Sequence, residues 1–281
     1  MTVISEVRPS PIAGLWYSGD PAELAAQVDR YLAEAKLPPL VGEVVGVIAP
    51  HAGHRYSGRT AGYAFKSVFD QKRDLVVVVS PYHRFHPAPV LTTAHRMYET
   101  PLGIIEVDHN LLTELNKTLQ ERLQVGITPV ANDDEHSLEI ELPFLQRALR
   151  GPFRLLPLML RSKHEALLRV LGQALAEIVR DHNYLLVAST DLSHFYPEKV
   201  ARRLDGEMLR QIARFSPEGV LQAEENGTGF ACGVAAVVTV MIAAKALGAS
   251  HVEILDYTTS ADTTGDTTSV VGYGAAAILR R

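Results

Sequence analysis

The chain alternates between short, continuously apolar runs and longer segments in which apolar residues recur every three or four positions. The runs are rich in β-branched residues, which predicts strands that are buried on both faces, as in a sheet between helices. These predicted strands cover residues 44–49, 75–80, 153–160, 184–189 and 252–257. A last apolar run at 269–279 is expected to pair at or near the sheet edge.

Helical spacing fills the intervals between these runs. In residues 135–150, for example, Leu138, Leu142, Leu145 and Leu149 fall on one face of a helix. Further helices are predicted at 58–72 behind a Ser57 N-cap, at 108–121 behind an Asp108 N-cap, and at 163–181, 197–215 and 232–247. Strands that alternate with helices predict a three-layer αβα fold, a single domain over residues 1–281 with a mainly parallel central sheet.

Composition and charge narrow the class of partner. The 27 basic and 32 acidic residues give a formal net charge of −5, and no basic stripe points to nucleic acid or to an anionic membrane. The single cysteine cannot form an internal disulfide, and the N-terminal residues lack a secretory signal pattern. The longest apolar stretch, 231–247, is too short to span a bilayer. We therefore expect a cytoplasmic protein.

Histidines follow three of the predicted strands. His51, His83 and His194 come after the first, second and fourth of them, and the C-terminal ends of parallel strands meet at one edge of a sheet. Cys232, the only cysteine, precedes an apolar helix, whose N-terminus should lower the pKa of the thiol. Two imidazoles and a thiolate are enough to hold a transition metal with an open position. For His51 alone, a loop residue that caps the next helix is an equally good interpretation.

Four more residues are candidates with two interpretations each. Asp191 lies three residues before His194 and could orient its imidazole, act in proton transfer or simply cap a helix. His136 and Glu139 stand at an acid-rich helix start, where they could contact a substrate or only cap the helix. Trp16, the only tryptophan, could form a pocket wall or pack in the core.

Taken in order, several segments resemble the Memo family, found in bacteria and archaea as protein B of the AmmeMemoRadiSam system. The segments are AGLWYSGD, APHAGHRYSG, SPYH, DDEHSLEIELPFL, STDLSHF, FACG and DTTSVVGYGA, and together they run from residue 12 to 280. The resemblance implies a fold similar to class III extradiol dioxygenases, which are non-haem Fe(II) enzymes. It also implies metal ligands at His51, His83 and Cys232, with Asp191, His194 and Trp16 in the pocket.

Three functions remain open at this point. The first is a metal-dependent redox enzyme, with Fe(II) favoured over Cu or Zn and with His194, aided by Asp191, as acid or base. The second is a zinc- or cysteine-dependent hydrolase that uses the same residues. The third is a non-catalytic adaptor that binds a metal or a phosphopeptide and partners a radical-SAM enzyme. The substrate, a small molecule or a peptide, is unknown. His54 stands where the family usually has an aromatic residue and adds a candidate ligand or proton carrier.

Overall fold

The computed structural model describes residues 5–281. The helices are α1 (Pro21–Glu34), α2 (His54–Lys66), α3 (His109–Leu123), α4 (Leu142–Ala148), α5 (Glu165–Val179), α6 (Glu198–Ala213), α7 (Pro217–Glu225), α8 (Val234–Ala246) and α9 (Ala261–Thr264). The strands are β1 (Val7–Arg8), β2 (Glu43–Ala49), β3 (Leu75–Pro81), β4 (Val90–Thr93), β5 (Met97–Thr100), β6 (Gly103–Glu106), β7 (Thr128–Val130), β8 (Arg154–Leu160), β9 (Tyr184–Ser189), β10 (His194–Tyr196), β11 (His251–Thr259) and β12 (Val270–Arg280).

A nine-stranded sheet forms the centre of the molecule. Its order is β10-β12-β2-β9-β3-β8-β4-β7, and β11 pairs with β12. The middle strands β2, β9, β3 and β8 are parallel, whereas β12 and β4 run antiparallel to their neighbours in the middle. The four middle strands are almost entirely buried, as their continuous apolar runs predicted.

Helices cover the sheet in two layers. Helices α1, α2 and α4 pack on one another and against β2 and β12, whereas α3, α5, α7 and α8 pack on one another and against β3 and β9. Helix α8 is buried almost all round, which is why its sequence is apolar on every face. The predicted αβα fold with a parallel centre is therefore confirmed, with a mixed rather than a purely parallel sheet.

The helix predicted at 135–150 is wrong in its first half. A 3₁₀ turn at Glu139–Glu141 leads into α4, and residues before Glu139 form no helix. Pro143 lies in the first turn of α4, the only part of a helix that tolerates a residue without an N–H group. Likewise, α2 begins at His54 behind Gly53, and the Ser57 hydroxyl donates to the Ala52 carbonyl instead of capping. The Asp108 cap of α3 is confirmed.

Two smaller features complete the fold. Strands β1, β5 and β6 form a separate three-stranded sheet, which sequence patterns missed because each strand has only two to four residues. Among residues 5–281, none of the helices combines the length and the apolar character that crossing a bilayer requires.

Candidate metal centre

Neighbouring parallel strands bring the predicted site residues to one edge of the sheet. His51, His83 and Asp191 each stand two residues beyond the end of β2, β3 and β9, and β9 pairs with both β2 and β3. The imidazole rings of His51 and His83 lie edge to face, with centroids 5.4 Å apart and planes at 83°. The prediction that strand ends gather these side chains is confirmed.

Three histidines form a cluster with the spacing of metal ligands. One ring nitrogen from each of His51, His83 and His136 lies within 4.8 Å of the other two. Cys232 is in contact with the cluster, because its Sγ atom is 3.0 Å from Nε2 of His51. The three predicted ligands are thus close together, and His136 is a fourth candidate that the sequence placed among substrate contacts.

Hydrogen bonds hold the rings of His51 and His83 from behind. Nδ1 of His51 is 2.9 Å from the Ser189 hydroxyl, and Nδ1 of His83 is 2.8 Å from Oε1 of Glu135. The backbone N–H of His83 also donates to Glu135, at 2.6 Å. Burial opposes ionisation of Glu135, but hydrogen bonds from His83 and Ser137 hold the pKa of its carboxyl well below the ordinary value. Each Nε2 atom is therefore left to face the cluster, as in many metal sites.

His136 is the middle ring of a stack. Its centroid is 4.0 Å from that of Trp16 and 4.7 Å from that of His83, and the His136 and His83 planes differ by only 14°. Burial lowers the pKa of His136 to about 4, so its imidazole is neutral at pH 7. The backbone N–H of His54 donates to the Trp16 carbonyl at 2.9 Å and thereby anchors the loop that carries Trp16.

The turn before α8 places Cys232 against the end of β9. The N–H of Asp191 donates to Sγ of Cys232 at 3.2 Å, and the N–H of Cys232 donates to the carbonyl of Asp191 at 3.1 Å. A Cβ atom on Gly233 would lie 2.3 Å from the Ser189 carbonyl, so this close approach requires glycine. Burial, and then the charge of Asp191, raise the pKa of the Cys232 thiol. The prediction that the helix N-terminus lowers the pKa of this thiol is wrong, because the effect of burial is larger.

Asp191 and His194 flank the cluster, but they do not make the contact that was predicted between them. Asp191 accepts a hydrogen bond from the N–H of His51 at 2.8 Å, and burial raises the pKa of its carboxyl to about 7. His194 donates from Nδ1 to the Leu192 carbonyl at 2.8 Å, and burial lowers its pKa. Within residues 5–281 no hydrogen bond joins Asp191 to the His194 ring, so the expected orienting contact is wrong. The catalytic roles of both residues stay predictions.

Glu139 belongs to a buried hydrogen-bonded network that includes Arg8. Its buried carboxylate accepts hydrogen bonds from Arg8 at 2.5 Å, from Tyr17 at 2.6 Å and from Ser10. Glu135, four residues earlier, is buried as well. The predicted substrate contact of Glu139 is untested.

His54 is part of the core. Its ring packs near those of Phe144 and Tyr17, at 4.9 and 5.3 Å between centroids, and its Nε2 atom is 3.2 Å from the Ile140 carbonyl. Burial lowers the pKa of His54 to about 4. These contacts explain His54 as a packing residue of α2.

An open cavity of about 470 Å³ adjoins the cluster on the side of Trp16. Its walls include Leu15 and Phe195, which are 80% and 75% exposed, together with Trp16 and Tyr56. Asp266 is its one charged lining residue, and in the described part of the chain no lysine or arginine lines it. The cavity therefore offers an apolar ligand a place beside Trp16, whose ring stacks on that of His136. The prediction of Trp16 as a pocket wall is in agreement with this position.

Sequence reasoning missed Ser189, Glu135 and Glu141 as partners of the site. Ser189 ends a predicted strand and looked like a strand residue, although a hydroxyl at that edge could have been a signal. Glu141 follows an isoleucine in the run LEIELPFL, where a charged residue inside an otherwise apolar pattern indicates a buried acid.

Comparisons with known protein sequences identify the family of this chain. The family model described as Memo-like protein matches residues 8–277. A MEMO1 family protein of Nitrosopumilus maritimus is 34% identical over 273 residues, which cover 96% of this chain and 98% of the relative. MEMO1 family proteins of Methanopyrus kandleri and Aquifex aeolicus are each 32% identical, covering 98% and 95% of this chain and 99% and 97% of the relatives. A crystal structure of an uncharacterized Escherichia coli K12 protein covers 83% of this chain and 99% of its own, with 13% identity and a TM-score of 0.42.

Proposed function

The chain belongs to the Memo-like protein family, and we propose that it binds a transition metal, with Fe(II) favoured over Cu or Zn, and uses it for redox chemistry on a small molecule or peptide. The observation that carries the proposal is the cluster of ring nitrogens from His51, His83 and His136, with the Cys232 thiol in contact with His51. Imidazole and thiolate ligands suit iron, copper and zinc, whereas magnesium and calcium prefer oxygen.

The residues present fit such a metal. In His51 and His83, the Nδ1 atom faces away from the cluster and contacts a protein group. Burial also lowers the pKa of His51 well below the ordinary value. A neutral imidazole with one nitrogen engaged from behind is the form in which histidine binds a metal. Glu135 acts as the carboxylate partner behind His83.

We favour His51, His83 and Cys232 as the ligands, with His136 as a stacking neighbour. The lone pair that a histidine gives to a metal lies in the ring plane. The rings of His51 and His83 are nearly perpendicular and can aim at one point, whereas the His83 and His136 rings are stacked and nearly parallel. Stacked rings direct their lone pairs along separate planes, which disfavours a shared ion.

The bound metal would supply a redox-active centre with open coordination positions. The chain's own residues would transfer the proton and bind the substrate. His194 has its Nδ1 proton committed to the Leu192 carbonyl, so its Nε2 atom is free to accept a proton. The lowered pKa keeps the ring neutral at pH 7. The apolar walls at Leu15, Trp16 and Phe195 would contact an apolar substrate.

One observation favours a hydrolase as the second candidate. Cys232 and His51 are 3.0 Å apart, the geometry of a thiol nucleophile and its base. However, a nucleophilic cysteine needs a lowered thiol pKa, and burial raises that of Cys232. A zinc-dependent hydrolase on the same ligands is not affected by this argument. For an adaptor that binds phosphopeptides, the cavity lacks a basic residue among those described.

Metal binding by the full chain tests the proposal. Anaerobic titration with Fe(II), and with Co(II) as a spectroscopic probe, should show one site per chain and a thiolate-to-cobalt charge-transfer band. Cys232→Ala should abolish the band and His83→Ala should abolish binding, whereas Arg84→Met beside His83 should leave both unchanged. A cobalt spectrum without a thiolate band would remove Cys232 from the ligand set. Absence of binding would contradict the proposal.

If the metal binds, oxygen consumption separates the two enzymatic candidates. The Fe(II)-loaded protein should consume O₂ when small aromatic and apolar compounds are screened, and His194→Ala should slow this consumption without loss of the metal. Hydrolysis of ester or amide substrates by the zinc-loaded protein, with no oxygen consumption by the iron-loaded protein, would instead support the hydrolase.

A further inference from the structure

The hydroxyl group of Ser189 has three close polar neighbours. Its Oγ atom is 2.6 Å from the carbonyl oxygen of Ser137, 2.7 Å from Oε1 of Glu141 and 2.9 Å from Nδ1 of His51. All four residues are buried. All three distances are hydrogen-bond distances, so each contact needs a proton between its two atoms, and the hydroxyl group can supply only one of the three.

Counting protons leaves one arrangement that satisfies all three contacts. A serine hydroxyl donates one hydrogen bond and accepts two. The Ser137 carbonyl can only accept, so it takes the hydroxyl proton. The other two contacts are hydrogen bonds only if Glu141 and His51 each bring a proton of their own.

We infer that Glu141 is a neutral carboxylic acid that donates to Ser189, and that it acts through Ser189 as a positioning residue which keeps the proton of His51 on Nδ1. In this tautomer Nε2 of His51 carries the lone pair, and Nε2 is the atom 3.0 Å from Sγ of Cys232. At this distance the Cys232 thiol can donate to that lone pair. The functional part of the inference rests on the proposed metal site, whereas the proton positions do not.

Glu139, two residues earlier, has the opposite surroundings. All of its partners donate, namely Arg8, Ser10 and Tyr17, and Arg8 brings a compensating positive charge. Glu141 has no such partner among the described residues, and its Oε2 atom is buried without a hydrogen bond. Burial raises the pKa of Glu141 well above its ordinary value, and the nearby Asp191 adds to this effect. An ionised Glu141 would be a buried charge without compensation.

Spectroscopy of the metal-free, full-length protein tests the proton positions directly. The infrared difference between wild type and Glu141→Gln should contain the C=O band of a protonated carboxylic acid, and Glu139→Gln, the matched control, should remove a carboxylate band instead. In ¹⁵N NMR spectra, His51 should show a protonated Nδ1 and an unprotonated Nε2. A carboxylate band for Glu141, or a His51 proton on Nε2, would overturn the inference.

Metal affinity tests the positioning role. Ser189→Ala and Glu141→Met should weaken metal binding by about 10- to 100-fold, as expected for loss of a group behind a ligating histidine. Glu141→Gln, whose amide can donate in the same place, should restore binding to within a few-fold of wild type. A folded Glu141→Met variant with wild-type affinity would refute the role. If the wild-type chain binds no metal, the proposed function fails, whereas the infrared and NMR results still decide the state of Glu141 and His51.

Discussion

Replacement of Arg8 by methionine should destabilise the chain more than any change at the protein surface. The Arg8 guanidinium donates to Asp133 at 2.8 and 3.1 Å, to Glu139 at 2.5 Å and to the carbonyl of Glu135 at 2.9 Å. The side chains of Arg8, Asp133 and Glu139 are at most 1% exposed. Methionine keeps most of the side-chain volume but leaves two buried carboxylates without their counter-ion.

The expected cost follows from the burial. Removal of one partner of a buried ion pair costs about 3–5 kcal/mol, because the remaining charge stays desolvated. At about 1.4 kcal/mol per factor of ten, the ratio of folded to unfolded protein should fall by roughly 100- to 4,000-fold. The loop that Arg8 holds carries Glu135 and His136, so metal affinity should fall as well.

Arg84 provides a matched control because its partner lies on the same loop as Asp133. It pairs with Asp134, adjacent to Asp133, but the two side chains are 67% and 46% exposed. Arg84→Met should therefore change the free energy of unfolding by less than about 1 kcal/mol. Urea unfolding, followed by circular dichroism and by fluorescence of the single tryptophan, measures both variants. Equal effects of Arg8→Met and Arg84→Met would refute the reasoning that burial sets the strength of this contact.

Two further predictions concern packing and pH. Gly272→Ala would place a Cβ atom 1.9 Å from Oδ2 of Asp205 and should lower the melting temperature, whereas Gly206→Ala, which meets no atom within 4 Å in α6, should raise it slightly. An unchanged melting temperature for Gly272→Ala would contradict the packing. Burial lowers the pKa of His54 to about 4. As the pH falls, the imidazole therefore becomes protonated in the unfolded chain before it does in the folded chain. The free energy of unfolding should decrease between about pH 6.5 and about pH 4, by about 3 kcal/mol in total. His54→Phe should remove that part of the pH dependence in urea unfolding; parallel curves for the two proteins would argue against it.

The fold could be predicted from the sequence where burial alone decides the pattern. The middle strands are buried on both faces, so their apolar runs marked them to within one or two residues, as at Tyr184–Ser189. The short strands of the small sheet gave no such signal. A helix was wrongly predicted before α4 because the leucines of this segment have helical spacing. In the structure its acidic residues bind Arg8 and His83 instead. Pro143 also delays the start of the helix.

The candidate site could be predicted as a set of residues but not as a network. Strand ends placed His51 and His83 together because parallel strands end at one edge of the sheet. Sequence spacing did not reveal that Asp191 contacts His51 and Cys232 rather than His194, since these contacts join residues more than 40 positions apart. The raised pKa of Cys232 likewise depends on tertiary burial, which outweighs the local effect of a helix terminus.

The central claim is that Cys232 and two histidines hold a metal, and metal analysis of the purified chain tests it most directly. The protein should be purified without chelator or affinity tag, beside Cys232→Ala and His136→Phe. We predict near-stoichiometric iron, or copper, in the wild type. The metal should also be retained in His136→Phe, because phenylalanine keeps the stacked ring, and it should be lost in Cys232→Ala. Full retention of metal in Cys232→Ala, or no metal in the wild type even after anaerobic reconstitution with Fe(II), would contradict the account.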